Sequence, residues 1–102
     1  MSVAELPISF DQQEIAAFCR ERGIRKLSLF GSVLREDFST NSDVDVLVEF
    51  LPGQIPGLAF FGYGDQLAKL IGHRVDLNTP GFLSKHFRED VLRQAVTIYE
   101  QA

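Results

Sequence analysis

Hydrophobic positions along the chain follow two spacings, one with the period of a helix and one with the period of a strand. Ile15, Ala16, Phe18 and Cys19 fall on one helical face, and Ser9 followed by Gln12 has capping-box spacing. Gly23 supplies a stop, so the pattern predicts a helix over residues 10–22. Residues 24–30 alternate in part, with Leu27 and Leu29 on one side, and end abruptly at Gly31-Ser32, as a strand running into a turn. Val33, Leu34 and Arg35 predict a single helical turn, followed by a polar loop over 36–42. Residues 43–50 are rich in valine, stop at Pro52-Gly53, and give the clearest strand in the chain.

Helical period returns over residues 57–71 in Phe60, Phe61, Gly64, Leu67, Ala68 and Ile71, although Gly62 and Gly64 each weaken a helix interior. Gly72 ends that segment, and residues 74–78 alternate as a third strand, stopped by Pro80-Gly81. A last helix is predicted over 88–95, while 96–100 fits either its continuation or an edge strand. Helix, strand, strand, helix, strand, helix implies an α+β fold (mixed α/β), with a small mixed β-sheet packed against helices. The length of 102 residues suits one domain over 1–102, and no internal repeat or linker interrupts it.

Charge narrows the choice of partners. Fourteen acidic residues against ten basic ones give a net charge of −4. Binding to nucleic-acid backbones depends on Lys and Arg displacing counterions, so no direct binding of a nucleic-acid polymer is expected. Cys19 is the single cysteine, which excludes an internal disulfide and suits the cytoplasm. The start lacks the basic and apolar regions of a signal peptide, and no apolar run approaches a membrane span.

Candidate chemistry begins with Asp43 and Asp45. Two residues apart on a strand, they project from one face, while Val44, Val46 and Val48 point to the core. Adjacent carboxylates repel, and oxygen-only donors suit magnesium or manganese; without a matching Cys or His cluster, zinc is not expected. A lone Asp-x-Asp is more often the solvated start of a strand, so the reading rests on its company. Gly31-Ser32 stands where a strand turns into a short helix, a place where backbone amides and a hydroxyl can meet phosphate oxygens. Asp76, between Val75 and Leu77, would complete a three-carboxylate cluster if its strand lies beside that of Asp43. Arg35 could neutralise phosphate charge or sit solvated.

Leu29-Phe30-Gly31-Ser32, then ten residues, then Asp43-Val44-Asp45-Val46-Leu47-Val48, and a further aspartate at 76, together resemble the signature of the polymerase-beta-type nucleotidyltransferase superfamily. The length places the chain with the minimal nucleotidyltransferases. It departs from the usual pattern at Glu36, where glycine often follows the motif arginine. The resemblance implies a fold of that type and transfer of a nucleoside monophosphate, AMP from ATP, to a hydroxyl. Asp43, Asp45 and Asp76 would be catalytic and hold Mg2+ or Mn2+, and Gly31, Ser32 and Arg35 would grip the nucleotide. It further implies an antitoxin that adenylylates a tyrosine of a partner HEPN-type ribonuclease toxin in a hetero-oligomer.

Two other readings compete. One is a nucleotide-binding module that neutralises its partner by occlusion, and the other is a dimeric enzyme acting on an aminoglycoside-type small molecule. Arg20, Arg22, Arg25 and Lys26 read as a solvated face near the end of the first helix. Gly62-Tyr63-Gly64 is only a fragment of a glycine motif, and Phe60 with Phe61 reads as core. His73 and His86 are isolated and read as structural or exposed, while Phe82, Phe87 and Tyr99 fit either core or a partner-facing patch.

Overall fold

The computed structural model describes residues 3–39, 41–54 and 56–101, with the Phe82 side chain, Thr40 of the polar loop and the first two residues outside the described set. Helix α1 (Gln12–Glu21) opens on Asp11, whose carboxylate accepts the backbone N–H groups of Gln13 and Glu14 at 2.8 and 3.2 Å. The cap is therefore Asp11, not Ser9, and the helix starts two residues later than its hydrophobic pattern suggests. Strand β1 (Ile24–Phe30) runs into a 3₁₀ turn at Gly31–Leu34, and strand β2 (Val44–Phe50) follows the loop. After a second 3₁₀ turn comes helix α2 (Phe60–Ile71), which keeps Gly62 and Gly64 in its interior. Its end is fixed by Gly72 at φ 80°, a left-handed position that disfavours a side chain, with the Gly72 N–H donating to Ala68 O at 2.8 Å.

Strand β3 (Val75–Asn78) and a short 3₁₀ turn (Pro80–Phe82) lead to helix α3 (Lys85–Gln94), which is capped by Ser84 and begins three residues before the expected 88. Ala95 turns to extended backbone, and Val96–Glu100 forms strand β4, the second of the two readings the sequence allows. The strands lie in the order β3-β2-β1-β4, with β1 antiparallel to both β2 and β4, and β2 parallel to β3. Parallel neighbours need a crossover, and α2 with its preceding turn makes it.

The alternation along β1 and β2 divides the sheet into two faces. Leu27, Leu29, Val44, Val46 and Val48 are buried against Ile15, Phe18 and Cys19 of α1 and Leu67 and Ile71 of α2. Each such side chain contributes about 1.5–3 kcal/mol on full burial. Phe30 and Leu47 face the other way and form a smaller core with Leu83 and with Val91 of α3. Of the expected basic face, Arg22 is tied down, lying 4.0 Å over the Phe18 ring and donating to Gln66 Oε1, while Arg25 meets Glu49 at 2.8 Å. Phe60 is only half-buried and Phe61 is 80% exposed, which corrects the assignment of the pair to the core.

Candidate functional site

The loop-facing end of the sheet carries a row of three positions. Antiparallel pairing sets Phe30 of β1 opposite Asp45 of β2, and parallel pairing sets Asp45 opposite Asp76 of β3. Residues that alternate with the buried valines thus place both carboxylates on the face that α3 partly covers. Asp43 lies one residue before β2 and is exposed.

Gly31 follows Phe30 at φ 77°, and a Cβ added there would overlap Asp45 Oδ2. Glycine thus serves twice, allowing the left-handed turn and letting the backbone approach the carboxylate. The Ser32 backbone N–H donates to Asp45, and the Ser32 hydroxyl donates to Asp43 O at 3.2 Å. Both motif segments are therefore tied to each other directly.

Burial pushes the Asp45 carboxyl above the ordinary aspartate range, and the charges of Asp76 and, less strongly, Asp43 push it the same way. The Ser32 N–H and the Arg35 guanidinium oppose that rise. Arg35 is exposed and meets Asp37 at 3.5 Å, so the expected phosphate-facing guanidinium is paired with a neighbouring carboxylate. Asp43 Oδ1 meets Arg74 Nε at 2.9 Å, and Arg74 Nη2 donates to Asn41 O at 2.6 Å.

The donors are all oxygen and crowded with like charge around Asp45, the chemistry that a hard divalent cation takes. The expected three-carboxylate cluster does not close: Asp45 and Asp76 pair across neighbouring strands, and Asp43 lies outside that pair. Among the described residues, no three His, Cys, Asp or Glu side chains stand close enough together to hold an ion. Asp43 instead points its carboxylate at Arg74.

One element escaped the sequence reading. A cleft of about 300 Å³ opens beside Gly31, Arg35 and Asp45, and its other wall is Phe87, Asp90, Val91 and Gln94 of α3. Their spacing of three, four and seven residues places them on one helical face, a signal hidden because the helix was expected to start after Phe87. His73 packs its ring 5.4 Å from Phe38, and His86 is exposed, so neither joins the row. Among the described residues no helix is long and apolar enough to cross a membrane.

Comparison with known proteins gives a consistent picture. The family profile described as polymerase beta, nucleotidyltransferase matches residues 13–102. The protein adenylyltransferase MntA of Thermococcus cleftensis is 40% identical over 81 residues, covering 78% of this chain and 80% of that protein. A solved structure of a minimal nucleotidyltransferase superposes with a TM-score of 0.68 at 33% identity, over 83% of this chain and 86% of the other. A toxin–antitoxin crystal structure with AMP-PNP superposes with a TM-score of 0.69 over 89% of this chain and 74% of that one. Its 22% identity makes that last likeness one of fold.

Proposed function

The chain belongs to the polymerase-beta nucleotidyltransferase family and is a nucleotidyltransferase, and from that premise we propose that it transfers AMP from ATP to a hydroxyl of a partner protein. The observation that carries this reading is the register pair Asp45–Asp76 beside Gly31, which lines up a phosphate-approach point and two carboxylates across three strands. In this reading Gly31 and Ser32 receive the outer phosphates, with Arg35 within reach once it leaves Asp37. Asp43, Asp45 and Asp76 would hold Mg2+ or Mn2+, an ion that would supply charge screening for the triphosphate and favour ionisation of the acceptor hydroxyl. Asp76, farthest from Gly31 in the row, faces the attacking side, and the leaving pyrophosphate departs over Gly31 and Ser32.

The acceptor follows from charge and kinship. A net charge of −4 disfavours a nucleic-acid polymer. The 40% identical relative is a protein adenylyltransferase. The partner in this reading is a HEPN-type ribonuclease toxin, the acceptor a tyrosine on it, and the chain its cytoplasmic antitoxin.

A second reading has its own footing in the Arg74–Asp43 contact, which leaves the carboxylates unconverged. There the chain binds nucleotide and neutralises its partner by occlusion alone. Incubation with magnesium, a lysate of the source cells, and ATP labelled at the α or the γ position separates the two. We expect one protein band labelled from the α position only, and no band with Asp43→Asn. Label from the γ position would mean a kinase, and a stable complex without label would favour occlusion.

A further inference from the structure

We propose that the outer edge of β3 takes an extended segment of the partner protein as a fifth strand, which sets the acceptor hydroxyl beside Asp76. The inference rests on the transferase reading, in which Asp76 faces the attacking side, and adds how the acceptor is held.

The backbone of β3 is the first support. Among the described residues, β2 lies on one side of β3 and no strand lies on the other. The Val44 N–H donates to Arg74 O at 2.8 Å and Val44 pairs with Val75, so residues 74, 76 and 78 turn their peptide groups toward β2. Val75 and Leu77 therefore turn theirs outward, as a ladder that an added main chain can meet. Gly64 of α2 keeps that ladder open. A Cβ there would stand 4.0 Å from Val75 O, and a longer side chain would have room to cover it. The helix carries this glycine against its own propensity.

Side chains along the same edge supply the second support. A cleft of about 380 Å³ runs between Val75 and Leu77 on one wall and Phe60, Phe61, Gly64 and Asp65 of α2 on the other. Val75 and Leu77 pack toward the main core, while Asp76 between them is exposed on the opposite face. An added strand alternates in the same way, so one residue enters the cleft and the next stands beside Asp76, about 4.8 Å across the sheet. The row of Phe30, Asp45 and Asp76 then gains a fourth position, that of the acceptor.

The chemistry of the edge selects its occupant. Phe61, 80% exposed at the cleft, calls for an apolar side chain. Asp65 and Asp76 are exposed carboxylates that favour basic residues nearby. The occupant is thus an extended segment with a hydroxyl residue between apolar neighbours, flanked by Lys or Arg. A second copy of this chain fits less well, because β3 is only four residues long and pairing two such edges would bring Asp76 toward its own copy.

The probe is the capped peptide Lys-Val-Tyr-Val-Lys, added to the full chain while amide exchange is followed by nuclear magnetic resonance. At saturation the outward Leu77 N–H should exchange about tenfold more slowly or better, with the amides of the other edge strand, β4, unchanged. Gly64→Leu should weaken the peptide about tenfold, the loss of a hydrogen bond and of cleft space, with Tm at or above that of the parent. If that variant unfolds, Leu77 exchange in the parent decides alone. Undiminished affinity in a folded Gly64→Leu chain, or no slowing at Leu77, overturns the proposal. Slowing at Leu77 that follows chain concentration without peptide means that the edge takes a second copy, and overturns it too. AMP transfer to a lysate protein without peptide pairing at β3 leaves the transferase reading standing alone. Pairing at β3 without AMP transfer to any protein keeps this surface and overturns that reading.

Discussion

Gly31 and Asp45 occupy one space: a Cβ at residue 31 would fall on the Asp45 carboxylate, and the φ of 77° there disfavours any side chain. The two motif segments therefore interlock, since the turn after β1 closes only over a residue without a side chain. Gly53 has a similar φ of 81° but nothing within 4 Å of its added Cβ, so it isolates the backbone cost. Gly53→Ala should lower stability by about 1 kcal/mol. Gly31→Ala should cost more, about 1–3 kcal/mol of strain plus displacement of Asp45, and should abolish AMP transfer. Parallel urea unfolding curves and transfer assays check this, and equal costs for the two variants would show that the overlap is relieved elsewhere.

The crowding around Asp45 makes an opposite prediction for stability. Its folded-state carboxyl is raised above the ordinary value of 3.8, first by burial and then by Asp76 and Asp43. The unfolded chain therefore ionises first as pH rises. The stability tied to this group is complete below 3.8 and is lost as pH climbs through the folded value. Asp45→Asn, which can still accept the Ser32 N–H, should be more stable than the parent at pH 7 without metal and equal to it near pH 3. Transfer by the variant should fall by about 10²-fold or more. Denaturation midpoints measured across that pH range decide it; a destabilised variant at pH 7 would mean that the carboxylate is not under repulsion.

Much of this site could be read before its geometry was known, and the reason differs from residue to residue. Val44, Val46 and Val48 alternate with Asp43, Asp45 and Leu47, so the face each occupies follows from period alone. The pairing of Asp45 with Asp76 does not, because strand register is set by packing and one residue of slip would turn Asp76 to the other face. The first helix cap was misplaced because Ser9 and Asp11 are both capping residues two positions apart, and only Asp11 reaches the Gln13 and Glu14 amides. The wall made by α3 was hidden for a related reason. Ser84 caps the helix three residues early, which adds Phe87 to a face otherwise visible only from Asp90 onward.

Arg74 is a cation that the sequence left unassigned, and its 2.9 Å contact with Asp43 would compete with the proposed metal ion for the same oxygen. Both side chains are largely exposed, so the pair should matter little for folding, about 0–1 kcal/mol. Removing the guanidinium should nevertheless free the carboxylate. Arg74→Ala should tighten Mn2+ binding in the absence of nucleotide by about fivefold, the size of one ~1 kcal/mol charge contact in a water-like dielectric. Titration of free Mn2+ by electron paramagnetic resonance reads this directly. Unchanged affinity would mean that Asp43 does not contribute to the ion's binding, and would shift the metal site toward Asp45 and Asp76.

Cys19 tests the packing of the core from the opposite side of the sheet. It is fully buried with Ile15 and Phe18, and burial pushes its thiol up to about 12 from 9.0, against the smaller pull of Arg22 and Arg20. A thiolate is the reactive form, so the folded chain should resist thiol reagents at pH 8, reacting only through unfolding. With a stability of about 5 kcal/mol, labelling should be slowed about 10³-fold or more relative to the chain in denaturant. The sign for stability is the same as for any raised group. Above pH 9 the unfolded chain loses its thiol proton while the folded one keeps it, so this contribution fades between pH 9 and about 12 and is constant below. Timed labelling with a chromogenic disulfide at pH 8, with and without denaturant, gives the protection factor. Rapid labelling of the native chain would show that α1 lifts from the sheet far more often than its buried contacts allow.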